Sequence, residues 1–116
     1  MEFEALDYRV QGEIGVLTLN RPRKVNAINR KMLEELLLFW RQRQEDDQVR
    51  VIILTGAGEK GFCSGLDLKA AAEFGENGFS PEGVYNTQRL FSLNIRLMRA
   101  CPQPIVAALH GPVMGA

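Results

Sequence analysis

Two short apolar runs, each preceded by an amphipathic helical pattern, constrain the fold of this chain most. Residues 51–54 read Val-Ile-Ile-Leu, and residues 105–109 read Ile-Val-Ala-Ala-Leu. Uniformly apolar runs of this length are typical of strands that are covered on both faces, so we expect both to be buried. A helix between successive strands is typical of parallel pairing. The sequence therefore predicts an α/β fold with parallel strands.

The residues before and between these runs predict the other elements. Residues 1–20 contain a turn signal at Gln11-Gly12-Glu13 followed by a β-rich run, which predicts a hairpin. Asn29 is a good helix N-cap, and apolar side chains recur behind it at helical spacing to about Gln44. We also predict a short helix over residues 68–74, a flexible loop over residues 75–81 and a second long helix over residues 85–99.

Composition excludes several classes of protein. The 14 Lys and Arg residues balance the 14 Asp and Glu residues. This balance argues against a nucleic-acid binder and an acidic disordered tail. No stretch approaches the ~18 consecutive apolar residues of a membrane span. The acidic N-terminus does not resemble a secretory signal, so we expect a cytoplasmic protein. Cys63 and Cys101 lack metal-ligand spacing, which predicts two free thiols and no metal site.

The glycine-rich loop after the first apolar run has two interpretations. Residues 56–61, Gly-Ala-Gly-Glu-Lys-Gly, match the G-x-G-x-x-G pattern of dinucleotide-binding turns. Dinucleotide binding requires a helix that begins directly after this pattern, whereas residues 62–65, Phe-Cys-Ser-Gly, indicate another bend. Alternatively, the glycine-rich backbone exposes N–H groups toward a developing negative charge. A second glycine-rich turn, residues 111–116, follows the other strand, so two neighbouring strands can each aim one N–H at one oxygen.

Four segments, in order along the chain, resemble the crotonase (enoyl-CoA hydratase/isomerase) superfamily. They are residues 20–28 (Asn-Arg-Pro-Arg-Lys-Val-Asn-Ala-Ile), 54–56 (Leu-Thr-Gly), 62–69 (Phe-Cys-Ser-Gly-Leu-Asp-Leu-Lys) and 104–116, from Pro-Ile-Val-Ala-Ala to Gly-Ala. The resemblance covers essentially the whole chain and implies a crotonase-like ββα spiral. We expect residues 1–116 to be the N-terminal part of one such domain, because the chain ends where a helix covering the last strand would begin.

The resemblance also implies a ligand and a set of site residues. The ligand is an acyl-CoA thioester, so coenzyme A enters as part of the substrate and no separate cofactor is implied. The two backbone oxyanion donors fall on Leu66 and Ala116. Leu66 is bulkier than the Ala of many family members, which would narrow the acyl pocket. The residues implied in binding substrate or coenzyme are Lys24, Val25, Ala27, Ser64, Leu66, Asp67, Leu68 and Lys69.

The activity that the resemblance implies is that of an enzyme, an enoyl-CoA hydratase. One oxyanion donor contributes about 3–4 kcal/mol in comparable sites. Hydration also needs an acid and a base, and the resemblance places these carboxylates after the second glycine turn. Isomerase, cyclic dienoyl-CoA hydratase, thioesterase and decarboxylase activities remain alternatives, as does a non-catalytic acyl-CoA-binding subunit. The resemblance further implies a homotrimer or homohexamer, and the composition predicts no nucleic-acid or membrane partner.

Several of the same residues have structural alternatives. Asp67 is a good cap for the short helix that follows it, and His110 is a candidate for a structural hydrogen bond. The two cysteines lie beside apolar residues, as buried thiols do. Arg21, Arg23 and Lys24 either approach the phosphates of coenzyme A or lie on a solvated loop. The apolar residues that we expect in core and lid packing rather than in an acyl pocket are Phe74, Phe79, Leu90 and Leu93.

Overall fold

The computed structural model describes residues 2–69 and 80–115. These residues form a four-stranded sheet in the order β1-β2-β3-β4 and two long helices that pack against each other. The elements are β1 (Leu6–Gln11), β2 (Ile14–Leu19), α1 (Arg30–Arg43), β3 (Val51–Gly56), α2 (Pro81–Ala100) and β4 (Ile105–Ala107). Neither helix has the length and apolar character needed to cross a membrane, within these described ranges.

β1 and β2 form the predicted hairpin. Gln11 pairs with Ile14, so only two residues connect the antiparallel strands. Gly12 occupies the first turn position with a φ of 62°, a left-handed conformation that glycine adopts without steric cost. The hairpin brings alternate side chains of β2, such as Leu17 and Leu19, into the core.

α1 begins and ends where its sequence pattern predicts. The Asn29 side chain accepts a 2.9 Å hydrogen bond from the Met32 N–H, which satisfies one of the unpaired donors of the first turn. The apolar stripe of the helix is buried against the sheet, with Phe39 and Trp40 almost fully excluded from solvent. α1 therefore supplies the largest side chains of the core.

The parallel pairing is confirmed, but the predicted burial of the two apolar runs is only partly correct. β3 lies parallel to both β2 and β4. Ile52 is fully buried in β3, whereas Ile53 and Leu54 are only half-buried. β4 is a short edge strand, and Val106 is 53% exposed. The prediction that residues 105–109 form a buried strand is therefore wrong for the described part of the chain, because the edge position leaves their side chains uncovered.

α2 begins earlier than its apolar periodicity predicts. The Ser80 side chain accepts a hydrogen bond of 3.1 Å from the Gly83 N–H, and Pro81 occupies the first helical turn. The fixed φ of proline suits that position, so the prediction that Pro81 belongs to a loop is wrong. The predicted helix beyond Lys69 and the loop up to residue 79, with Phe74 and Phe79, lie outside the described residues.

Candidate active site at two glycine turns

The loop that follows β3 and the loop that follows β4 run side by side. Cys63 and Val113 form an isolated parallel bridge. The Cys63 N–H donates to the Pro112 carbonyl at 3.2 Å, and the Met114 N–H donates to the Cys63 carbonyl at 2.9 Å. The ends of the two neighbouring parallel strands therefore bring the two glycine-rich turns together, as the second interpretation of the sequence requires.

Two glycines lie against each other where these turns meet. Gly65 has a φ of 96° and Gly115 a φ of 71°, both in the left-handed region. A Cβ atom on Gly65 would lie 3.1 Å from the Met114 carbonyl oxygen and 3.6 Å from the Cα of Gly115. Glycine is needed at position 65 for its conformation and for this close approach of two backbones. The residues that follow these glycines are the two predicted donors, of which Ala116 lies outside the described residues.

The main chain on either side of Leu66 is held by Ile28. The Ile28 N–H donates to the Gly65 carbonyl, and the Asp67 N–H donates to the Ile28 carbonyl, both at 2.8 Å. Because the peptide plane is trans, the Leu66 N–H points opposite to the Gly65 carbonyl and hence away from Ile28. It donates to no backbone acceptor within residues 2–69 and 80–115. Among the described residues, no main-chain group therefore competes for this N–H.

Arg21 connects the segment before α1 to the turn that carries Leu66. Its guanidinium donates to the Ala27 carbonyl and to Asp67 Oδ2, the latter at 3.2 Å. The two side chains are only 19% and 11% exposed. Asp67 Oδ1 also accepts from the Lys69 N–H at 3.1 Å, which is the capping interaction of the structural alternative. The Arg21 guanidinium is thus turned into the protein rather than toward a phosphate in solvent.

Asn26 ties the same segment to the loop after β3. It is fully buried, and its φ of 54° is in the left-handed region. Its Oδ1 accepts from the Arg21 N–H at 2.8 Å, and its Nδ2 donates to the carbonyls of Ala57 and Phe62, each at 3.0 Å. No role for Asn26 follows from the sequence pattern, although a polar residue between Val25 and Ala27 in a family motif was an available signal.

The residues implied in coenzyme binding lie in two adjacent segments beside this turn, and about half of them are exposed. The Ser64 N–H donates to the Val25 carbonyl at 2.9 Å, and the Ser64 hydroxyl donates to the Lys24 carbonyl at 3.1 Å. Val25, Leu66 and Asp67 are half-buried, and Ala27 is buried. The exposed members of the set are Lys24, Ser64, Leu68 and Lys69. Two segments that are about forty residues apart in the chain thus form one surface.

The histidine and the two cysteines are in surroundings that fit structural rather than catalytic roles. His110 Nε2 lies 2.9 Å from the Gly58 carbonyl, which agrees with a structural hydrogen bond. Burial raises the pKa of both the Cys63 and Cys101 thiols, so both stay protonated near neutral pH. No cluster of three His, Cys, Asp or Glu that could hold a metal ion occurs in the described ranges. No helix begins at Gly61 as a dinucleotide-binding turn requires, since residues 61–67 are irregular.

Comparisons with known proteins relate this chain to enzymes of acyl-CoA chemistry. Residues 14–116 match the family model described as enoyl-CoA hydratase/isomerase. The chain is 34% identical to the 1,2-epoxyphenylacetyl-CoA isomerase of Escherichia coli (strain K12), over 92% of this chain and 40% of that protein. It is 36% identical to the mitochondrial 3-hydroxyisobutyryl-CoA hydrolase of Gallus gallus, over 90% of this chain and 27% of that protein.

A solved structure gives the same relationship. The crystal structure of an enoyl-CoA hydratase from Bacillus anthracis matches with a TM-score of 0.84 at 34% identity, over 93% of this chain and 40% of that one. The chain therefore spans less than half the length of each of these three relatives.

Proposed function

The chain belongs to the enoyl-CoA hydratase/isomerase family, and from this we propose that its two glycine turns form an oxyanion hole for the thioester carbonyl of an acyl-CoA substrate. The predicted crotonase-like fold is confirmed by the match to the hydratase structure. The named relatives include a hydratase, an isomerase and a hydrolase, and the name of each contains a CoA thioester. Acyl-CoA chemistry is what they have in common.

The observation that carries the proposal is the Leu66 N–H beside the second glycine turn, which has no hydrogen-bond acceptor among the residues that the structure describes. Ile28 holds the flanking peptide groups at 2.8 Å, so the direction of this N–H is set before any ligand arrives. Gly115 lies against Gly65 and leads into the position of the second donor. An oxyanion hole needs donors of this kind, which are already oriented toward the place where charge develops.

The chemistry follows from where the charge goes. Addition of water to an enoyl thioester, or removal of an α-proton, moves an electron pair onto the thioester oxygen and forms an enolate. Donors aimed at that oxygen bind the enolate more strongly than the neutral carbonyl, so they lower the barrier rather than only the KM. Each donor contributes about 3–4 kcal/mol. The proton transfers require an acid and a base, which the family resemblance places after the second turn.

Within this family we propose hydration of an enoyl-CoA as the activity. The surface formed by Lys24, Val25 and Ser64 carries the coenzyme, and coenzyme A enters only as part of the substrate. Homotrimeric or homohexameric assembly is part of the same proposal, and sedimentation velocity on the full-length protein tests it. A carbon–carbon double-bond isomerase or a thioester hydrolase would use the same oxyanion hole, and the named relatives include a 3-hydroxyisobutyryl-CoA hydrolase and a 1,2-epoxyphenylacetyl-CoA isomerase.

The experiment that tests the proposal compares two variants of Leu66 in the full-length protein. Proline has no N–H, so Leu66→Pro removes the donor, whereas Leu66→Ala keeps the donor and removes only side-chain bulk. Turnover of short enoyl-CoA thioesters is followed by the loss of the conjugated enoyl absorbance, and products are separated by chromatography. We expect Leu66→Ala to stay within about tenfold of the parent and Leu66→Pro to lose about a hundredfold or more in kcat.

Several outcomes separate the alternatives. A 3-hydroxyacyl product supports hydration, a shifted double bond supports isomerisation, and free coenzyme A supports hydrolysis. Binding of acyl-CoA without any product supports the non-catalytic subunit. Circular dichroism verifies that Leu66→Pro is folded, and a folded Leu66→Pro variant with parental turnover would refute the assignment of Leu66.

A further inference from the structure

A mostly buried ion pair lies directly beside the segment that carries Leu66. The Arg21 guanidinium spans from the Ala27 carbonyl to the Asp67 carboxylate. Ala27 precedes Ile28 and Asp67 follows Leu66, and Ile28 and Leu66 are the residues that form the bridge. The guanidinium therefore connects the two chain segments that this bridge joins. Its planar, forked shape allows it to bind two acceptors at the same time.

Besides the guanidinium, several hydrogen bonds join the two segments of this bridge. Asn26 Nδ2 donates to the Phe62 carbonyl, and the Ser64 hydroxyl donates to the Lys24 carbonyl. Two hydrogen bonds of 2.8 Å join Ile28 to Gly65 and Asp67, and one of 2.9 Å joins Ser64 to Val25. The Gly65 carbonyl and the Leu66 N–H belong to one peptide group. Because Gly65 has no side chain, its own backbone dihedrals restrict the rotation of this peptide group only weakly. The direction of the Leu66 N–H thus depends on how firmly the segment 26–28 is held against the segment 65–67.

Resting on the proposed function, we infer that Arg21 is a positioning residue: its bridge between Ala27 and Asp67 holds the Leu66 N–H in the direction that an oxyanion requires. Arg21 does not touch the substrate in this arrangement. It acts through Asp67 and the Ile28 bridge. A buried ion pair of this kind contributes little net stability, because the desolvation of both charges offsets their attraction. In this inference, the ion pair between Arg21 and Asp67 fixes the direction of the Leu66 N–H rather than the stability of the fold.

Arg21 variants of the full-length protein test this inference. Arg21→Gln removes the charge and the two-armed contact, and Arg21→Lys keeps the charge but cannot bridge both acceptors as a planar fork. The measurements are kcat and KM for an enoyl-CoA and the infrared stretch of the bound thioester carbonyl, which falls in frequency when donors polarise it. The carbonyl stretch reports on the donors themselves, so a change that only lowers stability does not move it.

We expect Arg21→Gln to lower kcat about tenfold or more while KM changes less than about threefold, because the affected donors act mainly in the transition state. The carbonyl stretch shifts back toward its value in solution, and Arg21→Lys gives an intermediate shift. Asp67→Asn keeps the shape of the side chain and serves as the second variant if Arg21→Gln does not fold. We expect the double variant Arg21→Gln/Asp67→Asn to lower kcat no more than the more severe of the two single variants, because both substitutions break the same ion pair.

The matched control is Arg9→Gln, which breaks an exposed ion pair with Asp7 on β1. It leaves kcat and the carbonyl stretch unchanged. If the parent protein binds the thioester without any carbonyl shift, the proposed function fails and this inference fails with it. A parental carbonyl shift that persists in folded Arg21→Gln, with parental kcat, overturns the inference alone.

Discussion

Two consecutive residues with side chains, Val25 and Asn26, adopt left-handed backbone conformations, with φ values of 51° and 54°. Such a conformation is unusual for a β-branched residue and persists only where the surroundings enforce it. The enforcing contacts are main-chain hydrogen bonds from Ser64 to Val25 and from Asn26 to Arg21, together with the side-chain bonds of Asn26. Backbone strain therefore occurs in the segment that we assign to coenzyme binding.

Asn26 gives a stability prediction at this scale. Asn26→Ala leaves the half-buried Ala57 carbonyl and the buried Phe62 carbonyl without this donor, so we expect a loss of about 2–3 kcal/mol in the free energy of unfolding. Asn26→Asp keeps the acceptor for the Arg21 N–H but turns a carboxylate oxygen toward those carbonyls. We expect it to be at least as destabilising at neutral pH. Urea denaturation of the full-length protein measures both changes.

The control for Asn26 is Asn86→Ala, at an exposed position on α2. We expect it to change the free energy of unfolding by no more than about 0.5 kcal/mol. Equal, small losses for Asn26→Ala and Asn86→Ala would show that the buried hydrogen bonds of Asn26 do not hold the two loops together.

Lys24 gives a binding prediction. It is exposed at the end of the short turn before Val25, whereas Arg21 is engaged by Asp67. If Lys24 approaches the phosphates of coenzyme A, Lys24→Glu weakens acyl-CoA binding, and more strongly at low than at high ionic strength because salt screens the interaction. Titration calorimetry at two salt concentrations measures the effect.

Arg41→Glu is the matched charge reversal for Lys24. Arg41 is exposed near the C-terminal end of α1, about 16 Å along the helix axis from the first residue of that helix. We expect it to leave the Kd unchanged. An unchanged Kd for Lys24→Glu at low ionic strength would assign Lys24 to a solvated loop.

At the scale of elements, the start of α1 positions the bridge beside Leu66. Asn29 caps the helix, and Ile28, the residue before the cap, forms that bridge. Asn29→Ala removes the capping acceptor, so we expect a loss of about 1 kcal/mol in stability, whereas Asn29→Asp keeps an acceptor and stays close to the parent. Thermal unfolding followed by circular dichroism compares them, and equal melting temperatures for the Ala and Asp variants would contradict this role of the cap.

At the scale of the whole molecule, the described part of the chain exposes a group of large apolar side chains and an open edge strand. An apolar cavity of about 260 Å³ remains between α1, α2 and β3. Large side chains that are at least 47% exposed on α2, on β4 and in the chain after β4 are Tyr85, Ile95, Val106, Leu109, Val113 and Met114. Exposed apolar patches and open strand edges promote association.

We therefore predict that residues 1–116 alone do not form a stable, active monomer. The isolated chain is expected to associate in sedimentation velocity and to bind the dye ANS. A charge on the edge strand, as in Val106→Lys, reduces the association, whereas Lys31→Arg on the polar face of α1 does not. A cooperative melt of a monomeric chain with hydratase turnover would contradict the prediction.

The elements that the sequence predicts correctly are those specified by neighbouring residues. The hairpin turn at Gly12, the cap at Asn29 and the helical periodicity behind it all act over a few positions, and so they can be read along the chain. The start of α2 was specified in the same way, by the Ser80 cap, although periodicity alone misplaced it.

What only the tertiary structure decides is which distant groups meet. Arg21 and Asp67 are 46 residues apart, and Asn26 bonds to a carbonyl 36 residues away. Their partners are set by how the segment between β2 and α1 packs against the loop after β3, which no local pattern encodes. The exposure of β4 has the same origin, because burial depends on what packs over a strand and an apolar run specifies only that it can be covered. The two glycine turns of the proposed oxyanion hole were predictable from the sequence, but the direction of the Leu66 N–H follows from the hydrogen bonds of Ile28 to Gly65 and Asp67 and from the fold around them.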